Sequence, residues 1–129
     1  IDAKIKVGCS CNRVYVENVH TEAVFVGTKR SCTADEVKEA MNSFVSEVQT
    51  LKLPSAPQKM LIVAEEADMP QPKLHVERYG RMSTVVGRMR EDAVFKNGIA
   101  YTLTSDNTGL GAGGGAVLSA EYLKAIGTI

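Results

Sequence analysis

The segment Thr33-Ala34-Asp35-Glu36, together with the apolar residues Val37, Ala40, Met41, Phe44, Val45 and Val48, constrains the fold more than any other part of this chain. Those apolar positions recur at i, i+3, i+4, i+7, i+8 and i+11, which is one face of an α-helix. Ahead of them, the Thr33 hydroxyl can accept from the backbone near Glu36 while the Glu36 carboxylate reaches back, a capping box. Lys38, Glu39, Asn42, Ser46 and Glu47 form the solvated face. The spacing predicts a helix from this cap through Val48. A helix with one apolar face needs a second layer to cover it.

The rest of the chain supplies that layer as period-two runs. Ile1, Ala3, Ile5 and Val7 alternate with Asp2, Lys4 and Lys6, which predicts a half-buried strand. Gly8 interrupts it, so a bulge or bend is expected over Cys9–Asn12, before β character resumes at Val14-Tyr15-Val16. His20 to Thr28 alternates again. Lys59 to Ala64 holds the short apolar run Met60-Leu61-Ile62-Val63, a buried strand. Met82 to Arg90 and Gly98 to Ser105 read as two more, with Arg88 and Arg90 on one face and an Asn97-Gly98 turn between the two strands. Leu51 to Gln58 reads as a connection. Pro70 and Pro72 argue against a helix and for an extended loop, with His75 at the surface. Asp106 to Gly115 is glycine-rich, and Ala116 to Ile126 reads as a final helix. The expected class is α+β: a mixed, mainly antiparallel sheet with helices on one face.

At 129 residues one domain is the default. Fifteen basic and fifteen acidic residues cancel, so no overall field favours nucleic acid or an anionic membrane. No apolar run approaches the ~20 residues that span a bilayer. Three cysteines, an odd number, argue against a disulfide framework and for a reducing cytoplasm. Cys9-x-Cys11 with His20 lacks a fourth ligand of standard spacing, so no metal site is expected. The chain begins at Ile1 rather than methionine, and reads as a processed product, a fragment or one piece of a larger chain.

Arg13 and His20 lie seven residues apart, between two β-like runs. Arginine offers five donors in a planar fork suited to a carboxylate or phosphate. Histidine titrates near neutrality and can carry a proton. Together they are candidates for holding an anionic substrate and moving its proton.

Arg13-Val14-x-Val16-x-x-x-His20-x-Glu22 resembles the segment Cys-Asn-Arg-Val-Pro-Val-x-x-Gly-His-Thr-Glu of archaeal and fungal aspartate-semialdehyde dehydrogenases. Three later segments agree in order: Pro70-Gln71-Pro72-Lys73-Leu74, Val86-Gly87-Arg88-Met89-Arg90, and Asn107-Thr108-Gly109-Leu110-Gly111-Ala112-Gly113-Gly114. The resemblance covers nearly the whole chain but only the C-terminal half of such an enzyme. It implies a C-terminal catalytic and dimerisation domain over residues 1–129, with a helix over 112–127 packing toward a nucleotide-binding domain elsewhere. It also implies a cytoplasmic NADP-dependent oxidoreductase of amino-acid biosynthesis, a homodimer acting on a small molecule through a cysteine thioester. In that reading His20 is the catalytic acid/base, and Arg13 contacts the substrate carboxylate. Asn107, Thr108 and Gly109 lie against NADP, and Val86 to Arg90 belongs to the dimer sheet. The nucleophile has no counterpart among Cys9, Cys11 and Cys32. Tyr15 and Val19 stand where the pattern has proline and glycine; Asp106 and Leu110 stand where it has histidine and arginine. An acyl-CoA reductase of the same family, acting on malonyl- or succinyl-CoA, and a non-catalytic dimerisation or binding module are the alternatives.

Overall fold

A computed structural model describes residues 6–129. Five strands form one sheet in the order β1-β2-β5-β4-β3, antiparallel except for the β3–β4 pair. In chain order these are β1 (Lys6–Asn12), β2 (His20–Gly27), β3 (Leu61–Val63), β4 (Thr84–Asp92) and β5 (Gly98–Ser105). The mixed, mainly antiparallel sheet is the one expected. The alternation over Ile1–Val7 lies mostly outside the described residues.

β1 pairs with β2 without interruption, from Lys6 opposite Gly27 to Asn12 opposite Thr21. Gly8 therefore makes no bulge, and Cys9 to Asn12 stay in the strand, because the neighbouring strand supplies a full ladder of partners. Val14, Tyr15 and Val16 are not a strand. They lie in the loop 13–19, where Val16 N–H donates to Val14 O at 2.9 Å.

The capping box forms as expected: Glu36 N–H donates to Thr33 Oγ1 at 3.1 Å, and Thr33 N–H to Glu36 Oε2 at 2.8 Å. Helix α1 (Ala34–Asn42) nevertheless stops before the apolar stripe does. Ser43 turns its hydroxyl onto Ala40 O, and Ser46 starts a second capping box with Gln49 that opens α2 (Glu47–Thr50). Serines compete with helical hydrogen bonding in this way, favouring caps over interiors. Phe44 and Val45, in the gap, are left exposed.

Parallel β3 and β4 need a crossover, and it is a helix, α3 (Pro72–Tyr79), where a loop is expected from the prolines. Pro72 sits at the first turn, where its missing N–H has no intrahelical partner to lose. Its neighbour Pro70 follows a cis peptide bond and lies buried before the helix begins. α3 lays Leu74, His75 and Tyr79 against the sheet; Leu74 and Tyr79 join a core of Ala64, Met69, Val85 and Ile62. His75 is thus not at the surface but fully buried, Nδ1 2.8 Å from Thr104 Oγ1. The register places Thr104, Val85 and Ile62 on one face of the sheet, under α3. α1 meets the other face, where its first amide, Ala34 N–H, donates to Glu91 Oε1 at 3.4 Å, so helices lie on both faces of the sheet and not on one as expected, because the β3–β4 crossover occupies the first.

A bulge between Gly87 and Arg90, with Arg88 at φ 54°, breaks the simple alternation that would put Arg88 and Arg90 on one face. Arg88 reaches Ala67 O instead. After β5 the chain makes an irregular turn over Gly109–Gly113 and then α4 (Gly114–Ala125). α4 is tied down by Tyr122 Oη donating to Glu47 at 2.8 Å and by the Ser55 hydroxyl and amide donating to Glu121. Among the described residues no helix is long and apolar enough to cross a membrane.

Candidate functional site

The sheet order brings the two ends of interest together. His20 opens β2 directly opposite Ser105, which closes β5. The loop 13–19 and the turn 106–109 therefore leave the sheet side by side. They border an open cleft of about 420 Å³ whose lining includes Arg13, Val16, Asn18, Val19, His20 and Asn107. A second hollow of about 650 Å³ continues past the same loop to Tyr15, Pro72, Lys73, Val76 and Arg81. Arg13 and His20, separate in sequence, share the first cleft, both exposed to solvent.

One hydrogen bond sets this arrangement. Val19 N–H donates to Asn107 Oδ1 at 2.8 Å, joining residues 88 apart in the chain. Val19 holds φ at 83°, in the left-handed region that glycine enters freely and β-branched residues rarely do. The departure from glycine at this position thus keeps the glycine-like backbone. The strain is offset by burial, since the Val19 side chain is only 6% exposed.

The turn after β5 is built on Asp106, whose side chain is wholly buried. Its Oδ1 accepts from Thr108 N–H and from Thr108 Oγ1, both at 2.8 Å, and from Gly109 N–H. Its Oδ2 accepts from Arg81 Nη1 at 3.0 Å. Burial opposes the charge, but the Gly109 and Thr108 hydrogen bonds and the Arg81 guanidinium outweigh it, and the carboxyl is held below its usual range. Asp106 is therefore the cap that shapes the turn, not an acid facing the cleft. The signal for it is present in Asp106-x-Thr108-Gly109, an Asx-turn pattern. Arg81, its partner, carries no local motif.

This geometry decides what each expected cofactor contact has to offer. The Thr108 hydroxyl already donates to Asp106 and accepts from Arg81. Gly109 is buried, and a Cβ there would lie 2.5 Å from both Arg81 Cβ and Arg81 O. Its close approach is to its own chain. Asn107 uses its oxygen on Val19, while its Nδ2 has no partner among the described residues. Of the three residues, Asn107 is the one that keeps a polar group, Nδ2, for a ligand at the cleft wall.

The cysteines sit elsewhere. Cys9 and Cys11 are exposed on β1, and Cys32 is half-buried before α1. Cys9 Sγ lies 3.5 Å from Glu22 Oε2. Partial desolvation, with the Glu22 carboxylate and Cys11 alongside, pushes its thiol up to about 11, the opposite of what a nucleophile needs.

The comparisons with known proteins fit this geometry. The family described as semialdehyde dehydrogenase, dimerisation domain, matches residues 2–109. Aspartate-semialdehyde dehydrogenase of Methanothermobacter thermautotrophicus is 44% identical over 124 residues, which are 96% of this chain and 36% of that protein. The enzyme of the same name from Saccharomyces cerevisiae is 36% identical over 95% of this chain and 33% of its own length. Among solved structures, the Candida albicans aspartate semialdehyde dehydrogenase with NADP superposes with a TM-score of 0.78 at 31% identity, over 86% of this chain and 31% of that one. Aspartate semialdehyde dehydrogenase II of Vibrio cholerae complexed with ASA superposes with a TM-score of 0.62 at 27% identity, over 82% and 27%. The chain spans about a third of the length of the curated relatives it matches. With the family match running from the first strand to the turn beside the cleft, the chain belongs to the semialdehyde dehydrogenase dimerisation-domain family.

Proposed function

We propose that this chain is the catalytic and dimerisation part of a longer, cytoplasmic, NADP-dependent aspartate-semialdehyde dehydrogenase of amino-acid biosynthesis, acting as a homodimer. The observation that carries the reading is the Val19–Asn107 hydrogen bond, because it holds Arg13, His20 and Asn107 around one cleft. In this reading the Arg13 fork holds the substrate carboxylate. His20 takes the proton of the hydroxyl formed when a cysteine thiolate, supplied by the rest of the enzyme, adds to the aldehyde carbon. As hydride leaves that carbon the adduct becomes a thioester, which phosphate then cleaves to an acyl phosphate, returning the cysteine thiolate. NADP, when bound, supplies the hydride acceptor; Asn107 Nδ2 is the group of this chain that would face it. The α4 surface, where Val117 and Ile126 are about half exposed, is the side offered to the remainder of the enzyme.

The test uses the full-length gene product. His20→Gln should lower kcat by about 10²–10⁴-fold, the usual worth of a positioned acid/base, with little change in KM. Arg13→Lys should raise KM for aspartate semialdehyde, because a point charge replaces a bidentate fork. Wild-type turnover in His20→Gln would overturn the reading. Faster turnover of malonyl- or succinyl-CoA than of aspartate semialdehyde would move the substrate assignment to an acyl-CoA.

A further inference from the structure

Cys9 and Cys11 stand two residues apart on β1, so their side chains project from the same face of the sheet. The register puts Cys11 directly opposite Glu22 and Cys9 opposite Val24. One ligand atom from each of Cys9, Cys11 and Glu22 falls within 4.8 Å of the other two. β1 is an edge strand and both thiols are exposed, so an ion in solvent has free access. None of the salt bridges among the described residues uses Glu22. Three groups that are anionic when deprotonated are thus gathered in one small volume.

A disulfide does not suit this pair. Same-face neighbours along a strand are roughly 6.6–6.8 Å apart with parallel Cα–Cβ bonds, whereas a disulfide needs Cβ atoms about 3.5–4.5 Å apart. A metal ion spans the gap. Thiolates bound to tetrahedral zinc at ~2.3 Å stand roughly 3.8 Å from each other, so side-chain rotations moving the ligand atoms by about an ångström complete the set.

We propose that Cys9, Cys11 and Glu22 form a binding site for a thiophilic divalent cation of the zinc class, with the fourth position open to solvent. Two sulfurs and one carboxylate favour zinc over magnesium or calcium, which take oxygen ligands. On binding, the cation accepts two thiolates and one carboxylate oxygen, and two thiol protons leave to solvent. The site is separate from the acid/base chemistry assigned to His20 but adjoins it, because Cys11 also lines the Arg13–His20 cleft. The expectation of no metal site looked to His20 as the third ligand; the cross-strand register supplies Glu22 in its place.

The experiment titrates the reduced, chelator-treated full-length gene product with Co²⁺ as a spectroscopic probe and with Zn²⁺ by calorimetry. The expected result is one Co²⁺ per chain with a sulfur-to-cobalt charge-transfer band that Zn²⁺ abolishes, and the release of two protons seen as buffer-dependent heat. Cys9→Ser and Cys11→Ser should each weaken Zn²⁺ binding by about 100-fold or more, and Glu22→Gln by about tenfold, losses at or above those typical for perturbed metal sites. Cys32→Ser should bind as the unmodified chain does, and circular dichroism should be the same in all four variants, since the ligands are on the surface. Absence of the charge-transfer band, its survival in Cys9→Ser, or one ion per two chains would overturn the proposal.

Discussion

Replacing Asp106 should damage this domain more than replacing the arginine that pairs with it. The carboxylate is buried and accepts four hydrogen bonds, three on Oδ1 and one on Oδ2. Asp106→Ala strands the Thr108 and Gly109 amides without an acceptor, and breaking a buried charged network by removing one partner costs about 3–5 kcal/mol. Asp106→Asn keeps an oxygen for Thr108 and Gly109 but turns an amide nitrogen toward Arg81. It loses roughly one charged hydrogen bond, about 1.5–3 kcal/mol. Arg81→Ala loses that same hydrogen bond, but the Arg81 side chain is 49% exposed, so water can take its place at Oδ2 where Asp106→Asn turns a donor against the guanidinium, and the cost should fall below that of Asp106→Asn, about 1 kcal/mol. For a domain of this length each kcal/mol moves Tm by roughly 3–5 °C, interpolating between smaller and larger domains. Thermal and urea unfolding at pH 7 should therefore rank the variants Asp106→Ala, Asp106→Asn, Arg81→Ala, with the first roughly 10–25 °C below the unmodified chain. The ranking is also pH-dependent. The folded-state pKa of Asp106 is depressed, so its contribution is complete above the unfolded value near ~3.9 and is lost as pH falls through the folded value. The gap between the unmodified chain and Asp106→Asn should close in strong acid. An Arg81→Ala loss equal to that of Asp106→Ala, or a gap that does not change with pH, would refute the capping argument.

His75 should give a second pH signature. Burial lowers its pKa, so the domain holds it neutral; its contribution is full above the unfolded value of ~6.5 and is lost as pH falls through the folded value. Urea unfolding as a function of pH should show this loss in the unmodified chain and not in His75→Gln; the same slope in both would contradict it. Val19→Gly should be milder than a truncation in the core. It relieves a β-branched residue at positive φ, worth about 1–2 kcal/mol, while losing a buried valine side chain worth about 1.5–3 kcal/mol. Equilibrium unfolding should therefore place Val19→Gly within about 1–2 kcal/mol of the unmodified chain, whereas Val85→Ala, at a fully buried position, should cost clearly more. A Val19→Gly penalty equal to that of Val85→Ala would mean that the strain at Val19 is negligible.

What could be read in the chain and what could not divide along a physical line. Signals confined to a few consecutive residues mostly survive in the structure, Gly8 and Val14–Val16 being the exceptions. The Thr33–Glu36 capping box forms, the period-two runs at His20 and Gly98 are strands, and the Asn97-Gly98 turn holds its left-handed asparagine. Signals that depend on what lies across the fold do not survive unaided. Pro72 reads as a helix breaker until β3 and β4 turn out parallel, at which point a crossover is required and proline at its first turn is no obstacle. His75 reads as a surface residue until that crossover packs it against Thr104. Asp106 reads only as an acid where the family pattern has histidine until the turn closes over it, and Cys9-x-Cys11 as a pair short of ligands until β2 places Glu22 opposite Cys11.

The same line runs through the candidate site. Arg13 and His20 were visible as residue types, but their shared cleft rests on His20 pairing with Ser105 and on Asn107 holding the Val19 amide. Neither contact has a local signature. The resemblance to glycine at position 19 is informative here because its loss is compensated. A glycine would reach the required φ at no steric cost but would pack nothing. The valine reaches the same φ at 83° and gains burial under the turn. Two different side chains thus serve one backbone conformation, and that conformation, held from 88 residues away, borders the cleft that Arg13 and His20 both line.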